Sequence, residues 1–274
     1  MAKSPTRVLS VASGKGGVGK TAVVANIGTC LARTGKRVLI FDADLGLANI
    51  DVVFGLNPPY NLNHFFSGEK DLASVIFDGP HGIKILPAGS GIQSFIKLDA
   101  GHKLQLIDGL DNLEYDFDFV LIDTEAGISE NVTYFASASQ DIIVVTTPDP
   151  TAITDAYALM KLLSLQYHEK HFNLIVNMVQ SEQEALDVFR KLSVVSNRYL
   201  DISIDYIGSI PYDPQMKEAI RKQQVFVDRF SSSRTSAAFT DLAERMATTV
   251  STNSPKGTIQ FFWRKLFDIH DPEQ

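Results

Sequence analysis

Cysteine is almost missing from this chain: Cys30 is the only one in 274 residues. One thiol cannot close an internal disulfide, form a CxxC redox pair or hold a metal cluster alone. That poverty suits a reducing compartment, and the expectation is the cytosol. Long hydrophobic runs are absent too. None approaches the roughly 20 residues that cross a bilayer, and residues 1–7 are short, polar and broken by Pro5, unlike a secretory leader. Positive charge is in deficit, with 25 Lys and Arg against 32 Asp and Glu and a formal net charge of −7. Direct DNA binding through a broad basic face is therefore not expected. The six histidines are scattered. His168 and His171 are spaced to share a helical face, but no third ligand is near, so they read as a solvated helix end.

What is present is a series of short, near-continuous apolar runs: residues 8–12, 37–41, 83–87, 117–122, 141–146 and 174–179. Between the first two, residues 21–33 carry Val24, Ile27, Gly28 and Leu31 at helical spacing, with Gly35 just beyond the end. Buried strands alternating with helices predict an α/β fold, a mostly parallel sheet with helices on both faces. In such sheets ligands sit at the carboxyl ends of the strands. Residues 1–249 read as one domain and 250–258 as a linker rich in Ser, Thr, Pro and Gly.

The first strand runs into Gly14-Lys15-Gly16-Gly17-Val18-Gly19-Lys20-Thr21. This satisfies G-x-x-x-x-G-K-[ST], the P-loop NTPase pattern, in its strand–loop–helix setting. Glycines let backbone N–H groups converge on phosphate oxygens, and the helix N-terminus adds its dipole. Lys20 is then expected to contact the β and γ phosphates of ATP, or the β phosphate of ADP, and the Thr21 hydroxyl to ligate Mg²⁺. Asp42 and Asp44 follow one apolar run and Asp123 another. Clustered carboxylates are costly without a cation. Asp123 suits a Mg²⁺-holding role, and helix N-capping is the alternative for each of the three.

The stretch from Lys15 to Thr21 resembles the deviant Walker A box of the MinD/ParA family of ATPases. The resemblance implies ATP-dependent homodimerisation, with Lys15 reaching the partner's phosphates. It also implies that Asp44 positions the attacking water and Asp42 supports the Mg²⁺ shell. It further implies that Asn177 reads adenine, with Pro211 and Asp213 in a second base-contacting loop. Three segments narrow the likeness: residues 42–51 (DADLGLANID), 123–129 (DTEAGIS) and 146–157 (TTPDPTAITDAY). They are similar to the flagellar-number regulators of MinD type, the FlhG or FleN group. That group implies control of the number and placement of bacterial flagella. Its implied partners are the flagellar SRP-type GTPase FlhF and C-ring or transcription-regulator proteins. Glu125 departs from the pattern, standing where the group usually has glycine. Only thirteen residues precede Gly14, so contacts made by the longer N-terminal extension of some relatives are not expected.

Residues 259–270 form a candidate amphipathic helix. Ile259, Phe262, Trp263, Leu266 and Phe267 fall on one face, and Arg264 and Lys265 on the other. Too short to span a bilayer, the segment suits docking into the membrane interface, and the family's membrane-targeting helix lies in this position. Docking on the protein's own body is the alternative. The expected location is the cytoplasm, reversibly peripheral on the inner membrane face. Among competing functions, a division-site MinD or a partition ATPase shares the fold. A nitrogenase-type reductase needs cluster cysteines that Cys30 alone does not supply. A carboxylation ligase gives no reason for Lys15 or the aromatic tail, and Glu125 leaves open a silent scaffold.

Overall fold

The computed structural model describes residues 6–44, 49–87, 89, 100–113 and 116–248. The linker, the candidate tail helix and parts of the segments around residues 45–48 and 88–99 lie outside the described residues. The strands are β1 (Arg7–Ser13), β2 (Val38–Ala43), β3 (Phe77–Asp78), β4 (Lys84–Pro87), β5 (Phe119–Ala126), β6 (Asp141–Thr146), β7 (His171–Val179) and β8 (Ser203–Pro211), of which all but β3 and β8 grow from the six apolar runs. They make one sheet in the order β3-β4-β2-β5-β1-β6-β7-β8. Every pairing is parallel except the short β3–β4 pair.

Side chains alternate across this sheet with the period of two that a strand imposes. Leu9, Val11, Val38, Ile40, Leu121 and Ile143 enter one core cluster with Val24, Ile27 and Leu31 of helix Lys20–Arg33 and Phe239 and Leu242 of helix Arg234–Thr248. Leu39, Phe41, Val120 and Ile122 face the other way, onto Phe135 of helix Glu130–Ala138. Ile142, Val144, Leu174 and Val176 do likewise against helices Pro150–Tyr167 and Glu182–Tyr199. Burying each such side chain fully is worth about 1.5–3 kcal/mol, so both faces have to be covered. The two-faced α/β architecture expected from the sequence is the one observed.

At the strand-start end, Arg7 forms an ion pair of 2.8 Å with Asp141 and donates to the carbonyl of Met246. One guanidinium thus ties β1, β6 and the last described helix. The expectation for the histidines is corrected here. Helix Pro150–Tyr167 ends before them, His168 turns left-handed at φ 58 as its C-cap, and His171 opens β7. The chain reverses between them, so they share no helical face. Among the described residues, no helix is long and apolar enough to cross a membrane.

Candidate nucleotide-binding site

β1 is central, between β5 and β6, and its carboxyl end delivers residues 14–19 to the start of helix Lys20–Arg33. Helices beginning at Glu130, Pro150 and Glu182 are capped by the side chains of Ser129, Asp149 and Ser181. Helix Lys20–Arg33 has no side-chain cap and no acidic residue in its first turn. Its N-terminal dipole and amides are left for an anion. Gly19 precedes it at φ 87, a left-handed conformation, and a Cβ there would lie 2.5 Å from Nδ2 of Asn177. Gly14 is required for a different reason. A Cβ would come within 2.1 Å of the carbonyl oxygen of Asp155, so the loop lies directly against helix Pro150–Tyr167.

The loop walls a pocket of about 430 Å³, to which Lys15, Gly16, Gly17, Val18, Gly19, Lys20 and Thr21 all contribute. Asp44 joins them, as do Asn49, Val52, Ala126 and Ile220, which sequence reasoning did not assign to the site. Asn49 lay in a segment already singled out. Ile220 carries no sequence signal, being brought in only by the fold.

Beneath the loop, Lys20 is 7% exposed and its Nζ lies 3.6 Å from Oδ1 of Asp123. Asp123 is in register with Asp42 on the neighbouring strand. Among the described residues, neither carboxylate oxygen of Asp123 has a hydrogen-bond partner. Burial pushes its pKa up, opposed by the Lys20 charge and the Thr21 hydroxyl, and Asp44 pushes it further up. Burial and then the charge of Asp123 raise Asp42 to about 7, against the pull of three backbone amides. Those are the N–H groups of Asn49 at 3.0 Å, Ile50 at 3.1 Å and Asp44 at 3.3 Å. Asp42 therefore also fastens the start of helix Ile50–Phe54, while Asp123 caps nothing. Orphaned carboxylate oxygens beside a threonine hydroxyl suit a hard, oxygen-preferring cation.

Lys15 behaves differently. Its ammonium sits 3.3 Å from Oδ2 of Asp149 and hydrogen-bonds to the Thr151 hydroxyl. Asp149 is held down at about 2, first by the hydroxyl and amide of Thr151 and then by Lys15. The expected base contacts are less concentrated. Asn177 donates 2.7 Å to the Val18 carbonyl and accepts from the Met178 amide, so it braces the phosphate loop. Pro211 lines a separate cavity of about 250 Å³ between β8 and helix Arg234–Thr248. The Asp213 carboxylate accepts from the Gln215 amide and the Thr235 hydroxyl. Neither Pro211 nor Asp213 lines the phosphate pocket.

A family model of the ParA group, described as NUBPL iron-transfer P-loop NTPase, matches residues 4–247. The chain belongs to the MinD/ParA family of P-loop NTPases. It is 40% identical over 262 residues to the Antiactivator FleN of Pseudomonas aeruginosa, covering 96% of this chain and 94% of that protein. It is 31% identical to the flagellum site-determining protein YlxH of Helicobacter pylori, over 96% and 90%. Among solved structures it is similar to the septum site-determining protein MinD of Pyrococcus horikoshii complexed with Mg-ADP. That match has a TM-score of 0.68 and 27% identity, covering 89% of this chain and 96% of that one. The iron-transfer description does not suit this member's residues. Its one cysteine, Cys30, is buried in helix Lys20–Arg33, where burial pushes the thiol up.

Proposed function

We propose that this chain is an ATP-switched regulatory ATPase that controls the number and placement of bacterial flagella. The observation that carries this reading is the 40% identity to FleN across nearly the whole of both chains. ATP enters the pocket with its phosphates on the uncapped helix N-terminus and Lys20. Mg²⁺, held by Thr21 and Asp123 with Asp42 behind them, would neutralise charge on the phosphates. Asp44, on the pocket wall, orients the attacking water, and Asn177 reads the base.

ATP also makes the protein a dimer in this reading. Lys15 lies at the pocket rim on an exposed ion pair, the kind of contact that is readily exchanged for another anion. The rim is apolar as well. Val52 and Ile220 line the pocket while 41% and 42% exposed, and Ile128 stands on the adjoining loop at 54%. Exposed apolar groups around a charged pocket suit a face that a second copy covers. Paired tails, each a weak membrane hook through Ile259, Phe262, Trp263, Leu266 and Phe267, then bind the inner membrane face by avidity. FlhF and C-ring or transcription-regulator proteins are the partners in this scheme.

The test has two arms. Light scattering after size exclusion should give a monomer with ADP and a dimer with a non-hydrolysable ATP analogue. Expression in a Pseudomonas aeruginosa strain lacking FleN should restore its normal flagellar number. A folded protein that dimerises with ATP yet leaves flagellar number uncorrected would overturn the flagellar part alone.

A further inference from the structure

We infer that Glu125 is a positioning residue, which clasps the loop after β5 through Ser129 and thereby slows nucleotide turnover. This rests on the ATPase reading above, but the contacts themselves are independent of it. The Ser129 hydroxyl donates to the Glu125 carboxylate. The same oxygen accepts from the Val132 amide at 3.4 Å and caps helix Glu130–Ala138. A single hydroxyl therefore joins the end of β5 to the start of that helix, across the loop between them.

The bridged loop is also stitched to the strand that feeds the phosphate loop. Thr124 donates its hydroxyl to the Val11 carbonyl at 3.0 Å, and the Gly127 amide donates to the Ser13 carbonyl at 2.8 Å. Ala126, between them, lines the pocket, and its Cβ is the nearest neighbour of the vacant Cβ direction of Gly16 at 3.9 Å. Asp123 lies two residues before Glu125 in the same strand. Any movement of the loop is felt by both the pocket wall and the Asp123 carboxylate. A contact made in one arrangement and lost in another biases the chain toward the first. Glycine at position 125 would offer no such contact, and Glu125 acts through Ser129 rather than on phosphate.

The test is a double-mutant cycle of Glu125→Ala and Ser129→Ala, with Glu125→Gln as the conservative variant. Ser129→Ala also removes a helix cap, but that loss appears on both sides of the cycle and cancels. Amide hydrogen exchange across residues 126–132, with no nucleotide added, should quicken several-fold in each single variant. It should quicken no further in Glu125→Ala than in wild type once Ser129 is alanine. Glu125→Gln keeps an acceptor for the hydroxyl and should exchange like wild type. In steady-state ATPase assays Glu125→Ala should raise kcat about two- to five-fold with KM unchanged. Additive effects, or exchange unchanged in Glu125→Ala, would overturn the clasp. Faster exchange with an unchanged or lower kcat would overturn its role in turnover. A wild-type protein without ATPase activity would overturn the reading of function, while the exchange results still decide the clasp.

Discussion

Lys15 and Lys20 belong to one loop and meet opposite electrostatic conditions. Lys20 is buried against Asp123, and its position followed from the motif because loop and helix are contiguous in sequence. Lys15 rests on Asp149, 134 residues away, and no local pattern announces that contact. If Lys15 serves the partner's phosphates, Lys15→Ala should bind ATP with near-normal affinity by calorimetry yet remain monomeric in light scattering. A stable ATP-bound dimer of that variant would contradict the role. Asp42 offers a pH test. Its folded pKa of about 7 lies above the ordinary carboxylate value, so the folded chain holds this proton more tightly than the unfolded chain. The contribution to stability is full below the unfolded value near 4, and it is lost as pH rises from about 4 to about 7. Urea titrations of the nucleotide-free protein should show a loss of order 4 kcal/mol across that window, flattened in Asp42→Asn. Identical pH slopes for the two proteins would mean that Asp42 is not so perturbed.

At the scale of elements, the apolar runs located β1, β2, β4, β5, β6 and β7, but two strands outlast their hydrophobic pattern. β2 runs on through Asp42 and β5 through Asp123, to Ala43 and Ala126. The backbone ladder continues regardless of side chain, and the carboxylates are placed by its register. β8 leaves no strand-like apolar run in the sequence, because Ser203, Asp205 and Gly208 interrupt it. It is an edge strand whose register slips against β7 between Leu174 and Ile175, so it needs no continuous apolar run. The close approach of the phosphate loop to helix Pro150–Tyr167 was likewise invisible in sequence. It yields a paired prediction. Gly14→Ala should cost about 1–3 kcal/mol in denaturation and weaken nucleotide binding, because the new methyl meets backbone. Gly16→Ala, whose nearest neighbour is 3.9 Å away, should change stability by less than about 0.5 kcal/mol. Equal losses in the two would contradict the tight packing at Gly14.

For the whole molecule, the phosphate pocket occupies the carboxyl ends of the strands, whereas Arg7 holds the last described helix at Met246 near their amino ends. The tail follows that helix in sequence, so its removal should spare the pocket. Deleting residues 258–274 should leave ATP-dependent dimerisation intact and abolish binding to anionic vesicles. In the full chain, Trp263 is the only tryptophan, and its emission should move to the blue when ATP and vesicles are both present. A truncated protein that no longer dimerises would instead make the tail part of the core. The central position of β1 also governs how the chain is made. Of the strands in this sheet β1 is made first, its neighbours begin only at Phe119 and Asp141, and its Arg7 waits for a carbonyl 239 residues downstream. Non-local pairing of this kind is slow and leaves an apolar strand unmatched during synthesis. Nearly the whole domain has to emerge before Arg7 can find its carbonyl and the sheet can close around β1.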